Sequence, residues 1–256
     1  MKLLSLNCQK AYQPGLESFL KQILEEERYD FLLLQEVNEA VLGFLERSTS
    51  YRFLTATYTD SGLPSHLCIG YRSSADLVSR ELHSFAGVHY DPVRGYKHSS
   101  FGLLSARFNF REEEVCVGSI HLHSGIDAKV RVRELQKAKE IGLRFAGHSP
   151  IIFGGDFNLG YPGELSRACR VLAPEFSCAT RTLGGTLDSR YSEYANHLPN
   201  KIAVALAKVG IGVKLKADHF FVNARFASTE RISVRMLPDR VSDHSPVELT
   251  SETIAK

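Results

Sequence analysis

Phe31-Leu32-Leu33-Leu34-Gln35-Glu36 is the stretch that decides the fold. Its first four residues are apolar without alternation and span the length of a strand. That pattern describes a strand covered on both faces, because a strand with one wet face would alternate. The run stops abruptly at an amide and a carboxylate. Ile151-Ile152-Phe153 repeats the pattern and runs into Gly154-Gly155-Asp156-Phe157-Asn158. Lys2–Leu6 reads as a third buried strand and is followed by Asn7. Between these runs lie helical patterns. Pro14–Glu27 carries Leu16, Phe19, Leu20, Ile23 and Leu24 on one helical stripe, with Pro14 near its start. Asn38–Arg47 predicts a short helix and Lys129–Phe145 a longer one. Leu67–Tyr71, Gly102–Phe110, Val115–His121, Asp218–Val222, Ile232–Met236 and Ser245–Leu249 predict further strands. The charged Arg111–Glu114 cluster predicts a hairpin between two of them. Residues 160–216 read as helical pieces and a long loop.

Length and composition agree with a layered α/β or α+β protein. A chain of 256 residues is at the upper end for one domain and buries most of its surface. With no repeat or linker in sight, one domain over 1–256 is expected. A hydrophobic share of 43% and a charged share of 23% exclude disordered and fibrous classes. A net charge of +2 identifies no polyanionic partner. Charge is nonetheless uneven: Lys129, Arg131, Arg133, Lys137, Lys139 and Arg144 fall in one segment, and Lys201, Lys208, Lys214 and Lys216 in another. Such runs are either solvated helix faces or binding patches. The odd number of cysteines, without a CxxC, suits free thiols in a reducing compartment. The Met1-Lys2 start leads straight into a strand, so no signal peptide is read and a cytoplasmic, monomeric protein is expected. Ile202–Val213 is too short and Lys-flanked to span a bilayer.

The polar residues of interest follow the strand ends, where layered sheets build their sites. Taken singly, each has a plain structural reading. Glu36 suits a helix N-terminus, Asp156 and Asp218 suit turns, and Asp243-His244 suits a surface pair. Adjacent strand residues point to opposite faces, so Asp243 and His244 can share a site only on a turn or a strand end. Together, the acids Glu36, Asp156, Asp218 and Asp243, the amides Asn7 and Asn158, and the imidazoles His121 and His244 form an oxygen-rich set. Such a set suits Mg²⁺ or Mn²⁺ rather than Zn²⁺. It also supplies what phosphoester hydrolysis needs: a cation, a base for water, and donors for developing charge.

Six segments in order then carry a resemblance: Leu4–Asn7, Leu34-Gln35-Glu36, Ser119–Leu122, Gly155–Asn158, Asp218–Val222 and Ser242–Val247. They resemble the endonuclease/exonuclease/phosphatase superfamily over nearly the whole chain. The resemblance implies a four-layer α/β sandwich, two packed mixed β-sheets flanked by helices, and a cation-dependent phosphoester hydrolase. It implies Asn7, Glu36 and Asp243 as metal-site residues, with Glu36 the direct ligand. Asp156 is implied to orient or deprotonate water, and Asn158 to hold phosphate. His244 is implied to act on the phosphoryl oxygen with Asp218 behind it, and His121 to contact phosphate or the leaving group. Leu122-His123-Ser124 offers His123 as the alternative. His121 is preferred because Arg133 and Gln136 then match the family's Arg-x-x-Gln spacing, which leaves His123 as a polar residue of the cleft.

Two departures stand out. No acid lies between Gly62 and Tyr71 to back the first histidine, and there is no Trp for a substrate platform. The substrate is open. The Gly155–Asn158 and Ser242–Glu248 motifs and the basic segment favour nucleic acid, as in deoxyribonuclease- or exonuclease-like members. Asn7-Cys8 and Thr186-Leu187-Asp188 resemble neutral sphingomyelinase-like members, which would set Lys201–Lys216 against a membrane and make a phospholipid the substrate. Inositol or nucleotide phosphomonoesters, and an inactive binding protein of the same fold, complete the alternatives.

Overall fold

The buried runs become central strands of two six-stranded mixed sheets. This computed structural model describes residues 1–9, 15–26, 28–60, 63–85, 87–91, 95–99, 102–124, 127–188, 214–239 and 241–254. The first sheet has the order β15 (Glu230–Met236), β16 (Val247–Thr253), β1 (Lys2–Asn7), β2 (Phe31–Val37), β4 (Leu63–Arg72), β3 (Tyr51–Asp60). The second has the order β11 (Phe176–Cys178), β14 (Asp218–Asn223), β10 (Ile151–Asp156), β9 (Glu113–His121), β8 (Gly102–Phe110), β5 (Ala75–Ser84). Two short ribbons pair β6 (Gly87–Asp91) with β7 (Gly95–Ser99) and β12 (Leu187–Asp188) with β13 (Lys214–Leu215). The described helices are α1 (Leu16–Glu25), α2 (Glu39–Leu45), α3 (Ala128–Ala146), α4 (Glu164–Leu172) and α5 (Ala224–Thr229). Within the sheets β1 and β2 run parallel, as do β9 and β10.

Strand alternation explains the four layers. Leu3, Phe31, Leu33, Ile69, Val117, Ile152, Phe220 and Val222 share the core between the sheets. Their neighbours Leu4, Leu6, Leu32 and Leu34 face the other way, onto the apolar stripe of α1 and onto α2. Cys116, Ile120, Ile151, Phe153 and Phe221 likewise cover the second sheet under α3 and α4. Each fully buried Leu or Phe contributes about 1.5–3 kcal/mol, so both faces of β2 and β10 hold the sandwich together. Gly154 lets the sheets close. A Cβ there would lie 2.5 Å from the Phe220 ring and 2.7 Å from a Leu33 methyl.

Several boundaries differ from the sequence reading. β10 does not end at Phe153: Gly154-Gly155 continue it to Asp156. Gly155 has φ 153°, and a Cβ on it would sit 1.9 Å from the Ile120 carbonyl oxygen, so this glycine serves close approach to β9 and not a turn. The 111–114 hairpin tightens to a two-residue turn in which Arg111 and Glu112 both take positive φ. β16 starts at Val247 rather than Ser245. β3 and β5 were not anticipated. α1 starts at Leu16 after Gly15 in the left-handed region, while Pro14 and Glu27 lie outside the described residues. So does Lys201–Val213, the bulk of the segment considered for membrane contact. No described helix is long and apolar enough to cross a membrane.

Candidate active site

The core between the sheets turns polar at one end, by the same parity that makes it apolar elsewhere. Leu3 and Ser5 lead to Asn7 on β1, Val117 and Ser119 to His121 on β9, and Ile152 and Gly154 to Asp156 on β10. On β14 the order is reversed, with Asp218 ahead of Phe220 and Val222. Glu36 should point away from this end, since Gln35 already has the inward parity. The β2–β4 register shifts between Leu34 and Val37, and Glu36 has φ 51°. Positive φ is rare and strained for glutamate, and here it accompanies a carboxylate directed into the site. The helix-start reading of Glu36 passes to Asn38, whose side chain accepts from Val41 N at 2.9 Å.

Asn7 ties the two sheets together. Its Nδ2 donates to Glu36 Oε1 at 3.1 Å and to Asp156 Oδ2 at 2.9 Å. Its Oδ1 accepts from Gln9 N at 2.8 Å, which fixes the amide orientation. His121 Nε2 is 3.6 Å from both Glu36 Oε1 and Asp156 Oδ2. On its far side, His121 Nδ1 meets the Tyr58 hydroxyl at 2.8 Å.

Asp243 and His244 share the site because they lie in the turn-rich stretch before β16, not within a strand. His244 Nδ1 is 2.7 Å from Asp218 Oδ2, and its Nε2 is 3.8 Å from Asp156 Oδ2 and 3.9 Å from Asp243 Oδ1. Burial pushes the His244 imidazole down, but Asp218, Asp156 and Asp243 outweigh it and hold the pKa well above 6.5. Asp243 is pushed up to about 6, first by burial and then by Glu36 and Asp156, against the pull of His244 and of the Ser242 hydroxyl. The Thr186–Asp188 segment braces this loop. Thr186 Oγ1 accepts from Ala217 N and Asp218 N, its carbonyl accepts from Ser245 N, and Asp188 N donates to Asp243 O.

Asn158 has φ 52°. Its N–H donates to Asp156 Oδ1 at 2.9 Å, and its Nδ2 donates to Leu122 O at 2.8 Å. The turn-Asx reading of Asp156 is thus met alongside its place in the cluster. All eight residues expected from the sequence meet at this end of the sandwich. The tightest groupings are Glu36–His121–Asp156 and Asp156–Asp218–His244, in each of which the ligand atoms lie within 4.8 Å of one another. Asp156 belongs to both, and either grouping could hold a metal ion.

Helix α3 bears on two of the sequence readings. Arg133 and Gln136 are exposed, and Arg131 and Glu134 take the buried positions on α3. Leu135, Ala138, Gly142 and Ala146 set the helical phase that puts residues 131 and 134 inside. Arg131 Nη1 donates to His123 O at 3.2 Å, and Glu134 Oε2 accepts from His123 N at 2.9 Å. His123 is therefore buried, with its peptide clamped behind the site, and is no part of the two groupings. His121 lies in one of the groupings, while Arg133 and Gln136, whose spacing favoured it, lie on the exposed face of α3. The basic segment is also partly neutralised: Arg131 pairs with Glu164, Lys139 with Glu175 and Arg144 with Glu81. Tyr58 was missed, although Leu54, Ala56 and Tyr58 alternate along β3 and lead to it.

A sequence model described as the Endonuclease/Exonuclease/phosphatase family matches residues 4–244. No curated protein matches the chain in sequence. Among solved structures, D. rerio TDP2 complexed with a single-strand DNA product is 18% identical, with 99% of each chain covered and a TM-score of 0.74. An endonuclease/exonuclease/phosphatase from Bacteroides vulgatus is 14% identical, with 99% of this chain and 98% of that one covered and a TM-score of 0.74. The Bacteroides thetaiotaomicron mannosyl-6-phosphatase Bt3783 is 15% identical, with 98% and 99% covered and a TM-score of 0.71. These likenesses are of fold.

Proposed function

The chain belongs to the endonuclease/exonuclease/phosphatase family, whose members hydrolyse phosphoesters, and we propose that it is a divalent-cation-dependent phosphodiesterase that directs water at phosphorus in line. The observation that carries this reading is the position of Asp156, shared by a Glu36–His121 grouping on one side and an Asp218–His244 grouping on the other. Four carboxylates (Glu36, Asp156, Asp218 and Asp243) converge here. Burial and this crowding raise Asp243 to about 6 even against the pull of His244. A hard cation fits that surplus of oxygen and negative charge. Glu36, steadied by Asn7, would hold Mg²⁺ or Mn²⁺ with Asp243 nearby. When bound, the ion supplies Lewis-acid stabilisation to phosphoryl oxygens.

The remaining roles follow from the chain's own groups. Asp156 Oδ2 orients water and accepts its proton, within reach of both imidazoles. His244, favoured toward its charged form by Asp218, gives its Nε2–H to a non-bridging oxygen as charge develops there. Asp218 keeps that ring charged and aligned through Nδ1. Asn158, tied to Leu122 O, presents its amide to the phosphate. His121 contacts the phosphate or the leaving oxygen.

A nucleic-acid phosphodiester is the favoured substrate, supported by the likeness to D. rerio TDP2 with its single-strand DNA product. A phosphomonoester is the second reading, supported by the similar likeness to a mannosyl-6-phosphatase. The neutralised charges on α3 weaken the case for that helix as a phosphate-backbone track. The Thr186–Asp188 segment has a bracing role that needs no phospholipid. The test is a substrate panel under Mg²⁺: single- and double-stranded DNA, RNA, sphingomyelin, phosphoinositides, nucleotides and hexose 6-phosphates. Turnover confined to oligonucleotides is expected. Turnover only of monoesters establishes the second reading, and none at all reduces the chain to a binding protein.

A further inference from the structure

The two histidines of the site are backed by different chemistry. Behind His244 stands a carboxylate, Asp218, which stabilises a positive ring. Behind His121 stands a phenol: the Tyr58 hydroxyl is 2.8 Å from Nδ1, and the rings meet edge-on with centroids 5.6 Å apart. Tyr58 in turn accepts a hydrogen bond from Ser65 Oγ at 3.2 Å, across the β3–β4 pair that sets Tyr58 opposite Ser65. The other ring nitrogen, Nε2, faces Glu36 Oε1 and Asp156 Oδ2, both at 3.6 Å. Carboxylates only accept, so the ring hydrogen belongs on Nε2, and Nδ1 then takes the Tyr58 hydroxyl hydrogen. All three side chains are buried, so water does not scramble this order.

We infer that Tyr58 is a positioning residue, oriented by Ser65, that fixes the tautomer of His121 with Nε2–H aimed between Glu36 and Asp156. This rests on the hydrolase reading above for its kinetic consequence. His121 then serves as an oriented hydrogen-bond donor to the phosphoryl or leaving oxygen. It also accounts for the missing acid between Gly62 and Tyr71: a tyrosine from the neighbouring strand occupies the place behind the ring.

The test pairs ring NMR with kinetics. Long-range ¹H–¹⁵N correlations of the Mg²⁺-loaded protein, with His121 assigned by loss of its signals in His121→Gln, should show the hydrogen on Nε2. Tyr58→Phe should convert this to a tautomer mixture and lower kcat about 10–100-fold at unchanged KM, the usual scale for a ring-orienting partner. Ser65→Ala should give a smaller change in the same direction. A hydrogen on Nδ1 in the wild type, or a Tyr58→Phe protein that keeps either the tautomer or the kcat, overturns the assignment. The spectrum reads the tautomer without turnover, so a protein that hydrolyses nothing defeats the hydrolase reading while the role of Tyr58 is still decided.

Discussion

Glu164→Ala tests whether a buried ion pair holds the site from behind. Arg131 is 1% exposed and Glu164 is 7% exposed. Arg131 Nη2 donates to Glu164 Oε1, Arg131 Nη1 donates to His123 O at 3.2 Å, and Glu164 Oε2 accepts from Tyr161 N at 3.0 Å. Removing the carboxylate leaves a guanidinium in the interior beside Glu134, whose own carboxyl is raised by burial. Breaking a buried pair this way costs about 3–5 kcal/mol. At about 2–4 °C per kcal/mol for a chain of this size, Tm should fall by about 6–20 °C. Urea unfolding followed by far-UV circular dichroism measures the loss as a lower midpoint at constant m-value. The double variant Arg131→Met, Glu164→Leu should lose less than Glu164→Ala, because apolar replacement of both partners removes the stranded charge. A loss below about 1 kcal/mol for Glu164→Ala would refute the reasoning, since only a solvent-screened pair behaves so.

Three further outcomes are expected. Gly155→Ala should cost about 3 kcal/mol and lower turnover, because its Cβ meets the Ile120 carbonyl oxygen at 1.9 Å and displaces Asp156; differential scanning calorimetry with an activity assay checks both. Asp156→Asn and His244→Ala should each lower kcat by at least about 100-fold with folding retained, and a near-normal rate in either would remove that residue from its role. Burial raises Glu134 to about 7 from 4.5, against the pull of the His123 N–H and Arg131, so the folded state holds a proton that the unfolded chain has released. That stability is present below pH 4.5 and is lost as pH rises to about 7. Relative to Glu134→Gln, the wild type should therefore lose about 3 kcal/mol between pH 4 and pH 8 in urea titrations, and a constant difference would contradict it.

Much of the fold was legible because apolar runs such as Phe31–Leu34 have one reading at strand length, and the stripe Leu16, Phe19, Leu20, Ile23, Leu24 has one helical phase. The residues of the candidate site were legible as a cluster because they stand where those runs stop. What was not legible depended on phase or on backbone. Arg131 and Glu134 share a buried face with Leu135 and Ala138, which the period of α3 marks and the Arg133–Gln136 spacing does not. Tyr58 lies on the Leu54–Ala56 parity of β3, a strand whose threonines hid its alternation. The inward turn of Glu36 depends on a positive φ and a register shift, which no residue pattern announces. Gly154-Gly155 suits either a sharp turn or a close backbone approach in sequence, and packing against Phe220 and Ile120 selects the close approach within a strand.

A cation-dependent hydrolytic centre around Asp156 and Glu36 stands or falls with turnover of the panel's best substrate before chelation, after exhaustive chelation, and after Mg²⁺ is restored, for wild type and Glu36→Gln. Turnover should be lost on chelation and regained with Mg²⁺, with Glu36→Gln requiring more Mg²⁺ for half-maximal rate at unchanged substrate affinity. Full turnover after chelation, or the same Mg²⁺ requirement in both proteins, would contradict it.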